Sequence, residues 1–120
     1  MPTILVNCAH GAEDPERAIL PFVVGNVARS ADQEAIVFLT VEAVRLVTHG
    51  YADSVRKDGF QPANEVIQSF IANGGQVWAC AACTKPRGIG EGDLIPGAKI
   101  VTAANLVECL ASGASAINVA

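Results

Sequence analysis

The sequence is short of charged residues, of aromatic rings and of basic side chains in particular. Only 17% of the 120 residues are charged and 5% are aromatic, and eight basic against twelve acidic side chains give a net charge of −4. A nucleic-acid-binding surface normally needs a basic patch, and single-stranded bases stack on aromatic platforms. An anionic membrane would need a polybasic run. The composition therefore argues against binding to nucleic acid and to anionic membranes.

Long apolar runs are also missing, although 51% of the residues are hydrophobic. Pro21, Gly25 and Gly50 interrupt the longest of them, so none reaches the roughly 20 residues of a membrane span. Residues 1–3 carry no basic side chain, and residues 4–6 are too short for a signal-peptide core. We therefore expect a cytoplasmic protein whose residues 1–120 fold as a single domain around one apolar core.

Four cysteines are present, at positions 8, 80, 83 and 109. A disulfide framework is improbable in a reducing compartment, which leaves thiol chemistry, metal binding or packing. We interpret Cys8, at a strand end, and Cys109, in the apolar helical segment 103–111, as packed residues. Zinc needs four ligands, and no second C-x-x-C accompanies Cys80 and Cys83, so we predict no metal.

No nucleotide cofactor is predicted either. Gly88, Gly90 and Gly92 lack the lysine and the strand-to-helix context of a phosphate loop.

Short aliphatic segments alternate with helical patterns along the chain. Strands are predicted over residues 3–7, 35–39, 76–80, 98–101 and 116–119. Helices are predicted to begin after Asp14, Thr40, Pro62 and Thr102, with Pro21 kinking the first or delaying its start. Residues 51–61 are interpreted as a loop. Such alternation predicts an α/β fold with a parallel sheet and helices on both faces.

The carboxyl ends of parallel strands meet at one edge of a sheet, where α/β proteins place their sites. Cys8, His10, Thr40, Glu42, Cys80 and Thr102 follow the predicted strands and should lie along that edge.

Cys80 is the best candidate for chemistry. Backbone N–H groups of the following turn, together with Lys85 and Arg87, would stabilise its thiolate and lower its pKa. The alternative is a buried cysteine that acts as a small hydrophobe. His10 is either a base or a solvated loop residue. Glu42 either faces the site or is an acid that stabilises a helix N-terminus.

One segment carries a family resemblance. Residues 77–89, VWACAACTKPRGI, resemble the cysteine segment of the DsrE/DsrF-like family, which includes small sulfur-relay proteins. Its active members carry a cysteine at the end of the third strand and then an Arg-Gly-aliphatic sequence, matched here by Cys80 and by Arg87, Gly88 and Ile89. Residues 37–44 resemble the family's second strand with its following glutamate.

The resemblance implies a three-layer α/β/α domain with a mostly parallel five-stranded sheet that assembles into a homotrimer or homohexamer. It also implies that Cys80 holds sulfur as a persulfide and passes it to a partner thiol, between a sulfur donor and an acceptor protein. Cys83 lies outside the usual pattern of relay members and adds a possible resolving thiol.

Three functions remain open: a sulfur carrier or sulfurtransferase, a dithiol redox protein cycling Cys80 and Cys83, and a non-catalytic oligomeric binding module. In the first two, Cys80 is the catalytic residue and Cys83 is auxiliary. The predicted binding residues are Glu42, Arg87, Lys85, His10 and Cys8.

Overall fold

The computed structural model describes residues 3–119, which form one five-stranded sheet with helices on its two faces. The strands are β1 (Thr3–Cys8), β2 (Glu34–Leu39), β3 (Gln76–Cys80), β4 (Ala98–Val101) and β5 (Ser115–Asn118). The α-helices are α1 (Pro15–Ser30), α2 (Ala63–Ala72), α3 (Ala81–Thr84) and α4 (Ala103–Ala111). Short 3₁₀ segments cover Val41–Val47, Tyr51–Ser54, Lys85–Arg87 and Glu91–Asp93.

The strand order is β4-β3-β2-β1-β5, and every strand pair is parallel. From β1 to β4 the chain steps across the sheet in one direction, and right-handed crossovers then keep α1 and α2 on the same face. The connection from β4 to β5 runs back the other way, which puts α4 on the opposite face. The α/β class with its parallel five-stranded sheet is confirmed, and the helices form a layer on each side.

The two faces bury different amounts of apolar surface. The α1/α2 face holds the main core, in which Phe22 and Phe70 meet edge to face with ring centroids 6.0 Å apart. On the α4 face a smaller cluster joins Leu5, Ile36, Phe38 and Val101. Leu106 and Cys109 of α4 pack against that cluster and are themselves only partly buried.

Helix starts follow the predicted signals. The Asp14 carboxylate accepts a hydrogen bond from the Arg17 backbone N–H (3.3 Å), and Pro15 is the first residue of α1. The Thr102 hydroxyl accepts from the Asn105 N–H (3.2 Å) at the start of α4. The delayed start expected from Pro21 is wrong: the helix begins at Pro15, and Pro21 lies inside it with its ring buried in the core.

Several boundaries differ from the sequence prediction. β1 and β2 each extend one residue further, and β5 begins and ends one residue earlier. The segment predicted as a loop over 51–61 contains the 3₁₀ turn Tyr51–Ser54, and 41–47 forms a 3₁₀ helix. Thr40 precedes that helix without making a side-chain cap, and Val41 adopts a left-handed backbone with φ 53°. A β-branched residue is strained there, and the strain lies next to Glu42.

No helix within residues 3–119 is long and apolar enough to cross a bilayer.

Candidate functional site

The register of the sheet aligns the carboxyl ends of four strands. Cys8 of β1 pairs with Leu39 of β2, Leu39 pairs with Ala79 of β3, and Cys80 pairs with Val101 of β4. The segments that follow these strands therefore emerge at one edge, as the sequence predicts.

Cys80 is the last residue of β3 and also the N-cap of α3. Cys83 is the third residue of that helix, and both thiols are partly exposed. Side chains at the N-cap and third helical positions are neighbours, as in a capping box. The Cys83 side chain lies close enough to Cys80 to raise the pKa of the Cys80 thiol. The sheet edge thus presents a pair of thiols rather than one cysteine.

The turn after the thiol pair is short and firmly anchored. α3 ends at Thr84, whose buried hydroxyl donates to the Ala81 carbonyl (3.2 Å) and whose own carbonyl accepts from the Ile89 N–H (3.1 Å). Pro86 lies in the 3₁₀ turn that follows, and Gly88 reverses the chain with φ 69°. Pro86 and Gly88 therefore keep α3 to about one turn.

The predicted lowering of the Cys80 pKa is wrong. Partial burial raises the pKa of the Cys80 thiol above its ordinary value, and the interaction with the Cys83 thiol raises it further. The backbone N–H groups of Ala82 and Cys83 lower it, but they do not outweigh these effects.

Arg87 does not supply the free positive charge expected beside Cys80. Its Nε donates to Glu42 Oε1 (2.9 Å) and its Nη1 donates to the Cys83 carbonyl (3.1 Å). The guanidinium therefore links residues 80–84, which we call the thiol turn, to the 3₁₀ segment Val41–Val47 after β2. The Arg87 hydrogen bond holds the pKa of Glu42 below its usual range, and the charge of Arg45 contributes.

Arg45 is a member of this cluster that the sequence did not identify. Its Nε donates to Glu42 Oε2 (3.1 Å), so both carboxylate oxygens are engaged by arginines. The sequence does carry a signal for this contact, because residues three apart on a helical turn, such as Glu42 and Arg45, are neighbours. The signal is weak, because an acidic and a basic residue at this spacing also occur on solvent-exposed helix faces.

Among the described residues, neither Lys85 nor the His10 side chain hydrogen-bonds to Glu42, Arg45 or Arg87. Lys85 is exposed. The His10 ring pairs with Glu13 (2.7 Å), whose second oxygen accepts from the Gly11 N–H (2.6 Å). Tyr51 supports the same loop by accepting from the Ala12 N–H (2.9 Å). Glu13 and Tyr51 are contacts that the sequence analysis missed.

Cys8 belongs to the core, as expected for a packed strand-end cysteine. It is 2% exposed, and its thiol faces the carbonyls of His10 (3.8 Å) and Ala18 (3.7 Å). Burial raises its pKa to about 12, so the thiol is protonated at neutral pH.

Within residues 3–119, no group of three His, Cys, Asp or Glu side chains is placed to hold a metal ion. The arrangement at the sheet edge is therefore one of thiols, arginines and a carboxylate.

The family model described as "DsrE/DsrF-like family" matches residues 3–119. The chain belongs to the DsrE/DsrF-like family. This membership is consistent with a sulfur-relay kind of function.

Individual similar proteins agree on the fold. The crystal structure of the ychN protein from E. coli superposes with a TM-score of 0.81 at 21% identity, covering 98% of this chain and 99% of that one. MTH1491 from Methanobacterium thermoautotrophicum, a protein of unknown function, superposes with a TM-score of 0.73 at 17% identity, covering 98% and 99%.

The uncharacterized protein MJ0760 of Methanocaldococcus jannaschii is 24% identical over 100 residues, which are 83% of this chain. The match takes in only 36% of that relative, so the chain spans about a third of its length.

Proposed function

We propose that this chain is a sulfur carrier that holds sulfane sulfur as a persulfide on Cys80 and passes it to a partner thiol. The carrying observation is the position of Cys80, which is a partly exposed thiol at the carboxyl end of β3 in a DsrE/DsrF-like fold. The proposal includes a sulfur donor protein, an acceptor protein and a reducing compartment such as the cytoplasm.

The chemistry needs a nucleophilic thiolate and a good leaving group. In the loading step the Cys80 thiolate attacks the outer sulfur of a donor persulfide. The donor S–S bond breaks, its thiolate leaves with the bonding electrons, and Cys80 gains one sulfur. In the transfer step an acceptor thiolate attacks that outer sulfur, and the Cys80 thiolate leaves. This activity would make the protein a sulfurtransferase.

The raised pKa of Cys80 affects the rate of loading and not its possibility. The minority thiolate of a high-pKa thiol is the stronger nucleophile, so the loss in population is partly offset. Lys85 is exposed near the thiol turn and can attract an anionic donor. Arg87 and Glu42 then position the turn, since their contact fixes the Cys83 carbonyl.

A dithiol redox protein is the second candidate, and the positions of Cys80 and Cys83, at the N-cap and third residue of α3, favour it. Its cycle would join the two sulfurs in a disulfide and reopen it with a dithiol reductant, without any transferred sulfur.

The test is to incubate the reduced protein with inorganic polysulfide, remove the excess, and map sulfur additions by mass spectrometry. The sulfur-carrier proposal expects Cys80 to gain one sulfur in at least one of two proteins, the wild type and Cys83→Ser. No sulfur should be added at position 80 in Cys80→Ser. Cys109→Ser is a matched control because Cys109 lies in α4, outside the thiol turn. The proposal would be refuted if Cys80 gained no sulfur in the wild type, in Cys83→Ser and in Cys109→Ser.

We also propose that the chain forms a homo-oligomer, a trimer or hexamer, through α4 and β5. α4 is apolar, yet none of its residues is fully buried, and all four residues of β5 are exposed. Val107 is 64% exposed, and Leu110 and Ile117 are also exposed. Apolar surface of this kind is typical of subunit contacts. Light scattering at micromolar concentration should give a multiple of the chain mass, and a monomer would refute the proposal.

A further inference from the structure

We propose that Cys83 discharges the persulfide on Cys80 as sulfide by closing a Cys80–Cys83 disulfide. This inference rests on the proposed sulfur-carrier function, since it needs a loaded Cys80. It gives the site a second outcome besides transfer. A sulfur that no acceptor collects leaves as sulfide, and the oxidised protein cannot be loaded again until it is reduced.

The position of the two cysteines carries the first step. Cys80 is the N-cap of α3 and Cys83 its third residue. Residues three apart on a helical turn have Cβ atoms about 5–6 Å apart, and a disulfide needs about 3.5–4.5 Å. The two positions therefore need to approach by about 0.5–2.5 Å. α3 has four residues, so no long helix resists this change.

The two cysteines also pack against different faces of the sheet. Cys80 packs against the apolar cluster on the α4 face, and Cys83 packs against the main core on the α1/α2 face. Both are partly exposed, so a sulfur added to Cys80 can extend toward solvent while its inner sulfur atom stays beside the helical turn that carries Cys83. Cys83 is thus placed to attack the protein sulfur, whereas an external acceptor collects the outer one.

The contacts of Arg87 hold Cys83 in position for this attack. The guanidinium donates to the Cys83 carbonyl (3.1 Å) and is itself fixed by Glu42 (2.9 Å). Thr84, the next residue, is 2% exposed and anchors the turn. The backbone of Cys83 is therefore held from its carbonyl side, which keeps its thiol within the loop formed with Cys80. Arg87 and Glu42 act here as positioning residues.

The step balances without an external oxidant. The Cys83 thiolate attacks Sγ of Cys80, the bond from Sγ to the outer sulfur breaks, and hydrosulfide leaves with the electron pair. The outer sulfur is reduced by two electrons, and the two cysteines together lose two electrons as their disulfide forms. A dithiol reductant then restores both thiols. Proximity within one turn favours this reaction over attack by a thiol from solution.

The experiment loads the protein anaerobically with inorganic polysulfide, removes the excess, and follows two signals over time. One is sulfide captured by a trapping reagent. The other is the intact mass, which distinguishes a chain with one added sulfur from a chain that has lost two hydrogens. Wild type should convert from the first species to the second, with sulfide released in equal amount. Cys83→Ser should keep its persulfide for roughly tenfold longer or more.

Two further variants distinguish a failure of this inference from a failure of the proposed sulfur-carrier function. Cys109→Ser should behave as wild type, and Cys83→Ala repeats the test without a hydroxyl at position 83. Equal persulfide lifetimes in wild type and both position-83 variants would overturn the inference and leave the carrier function intact. Absence of any sulfur on Cys80, even in Cys83→Ser and Cys83→Ala, would instead overturn the carrier function itself.

A positioning role for Arg87 has its own readout. Arg87→Lys should slow disulfide closure, measured as the fraction of chains already carrying the added sulfur that close per unit time, since lysine cannot contact Glu42 and the Cys83 carbonyl in the same forked geometry. Closure at the wild-type rate in this variant would remove Arg87 from the mechanism.

Discussion

The ends of β1 and β3 place the same residue type at the same edge of one sheet, with opposite results. Cys8 points to the α1/α2 face, where the main core surrounds it, and Cys80 points to the α4 face, which a single helix covers. Cys8 is 2% exposed with a pKa of about 12, whereas Cys80 is partly exposed. The position at a strand end therefore does not decide whether a thiol is accessible. The face of the sheet decides it.

The largest expected contrast is in alkylation. A pKa of about 12 leaves about one Cys8 thiol in 10⁵ ionised at pH 7, and burial blocks the reagent as well. In native protein treated with iodoacetamide, peptide mapping should show Cys80 labelled and Cys8 untouched. Both should be labelled in denaturant, which is the control. Labelling of Cys8 at a rate close to that of Cys80 in native protein would break the comparison.

Stability should show the next largest difference. Cys8→Ser puts a hydroxyl into the core and is expected to cost about 1–3 kcal/mol of unfolding free energy. Cys80→Ser changes a partly exposed position and should stay within about 0.5 kcal/mol. Urea unfolding of the two variants beside wild type measures both values. Equal losses would show that the two strand ends are packed alike.

A smaller effect should appear in the pH dependence of Cys80 reactivity. The Cys83 thiol contributes to the raised pKa of Cys80, so Cys83→Ser should lower that pKa and move the alkylation profile toward lower pH. The rate near neutral pH should rise with it. Cys109→Ser serves as the control and should leave the profile in place. An unchanged profile in Cys83→Ser would mean that burial alone raises the pKa.

The smallest effect concerns the carboxylate that ties the turn after β3 to the segment after β2. The pKa of Glu42 is lowered in the folded state from its ordinary 4.5, so the unfolded chain binds more protons between the two values. The stability that this group contributes is complete above 4.5 and is lost as the pH falls through the folded pKa. Glu42→Gln should flatten that part of the acid-unfolding curve. A curve identical to that of wild type would mean that the arginine contacts add no stability.

Most of the fold could be predicted because its signals are local. Aliphatic runs marked all five strands within one residue at each end, and Asp14 with Pro15 marked the start of α1. The 3₁₀ form of Val41–Val47 could not be predicted, because apolar residues spaced three apart suit both helix types.

The candidate site could be located from the sequence, but its electrostatics could not be derived. Glu42 and Arg87 are 45 positions apart in the chain, and only the folded sheet edge brings them together. Without that contact Arg87 is interpreted as a free positive charge beside Cys80. The partial burial of Cys80 and its interaction with Cys83, which raise its pKa, also depend on the fold. The face of the sheet to which Cys8 and Cys80 each point could not be predicted either. Strands buried on both sides carry no alternation of polar and apolar residues to reveal which way a side chain points.

The strand order β4-β3-β2-β1-β5 also has a consequence for synthesis. The ribosome releases β1 to β4 first, and these strands with α1 and α2 already contain the main core. α4 and β5 follow these strands in the chain, and β5 pairs with β1 on the side opposite β2. The surface proposed for subunit contacts therefore does not exist on a half-made chain. Association through this surface requires α4 and β5, whereas the thiol turn and its arginine contacts lie in segments that precede them in the chain.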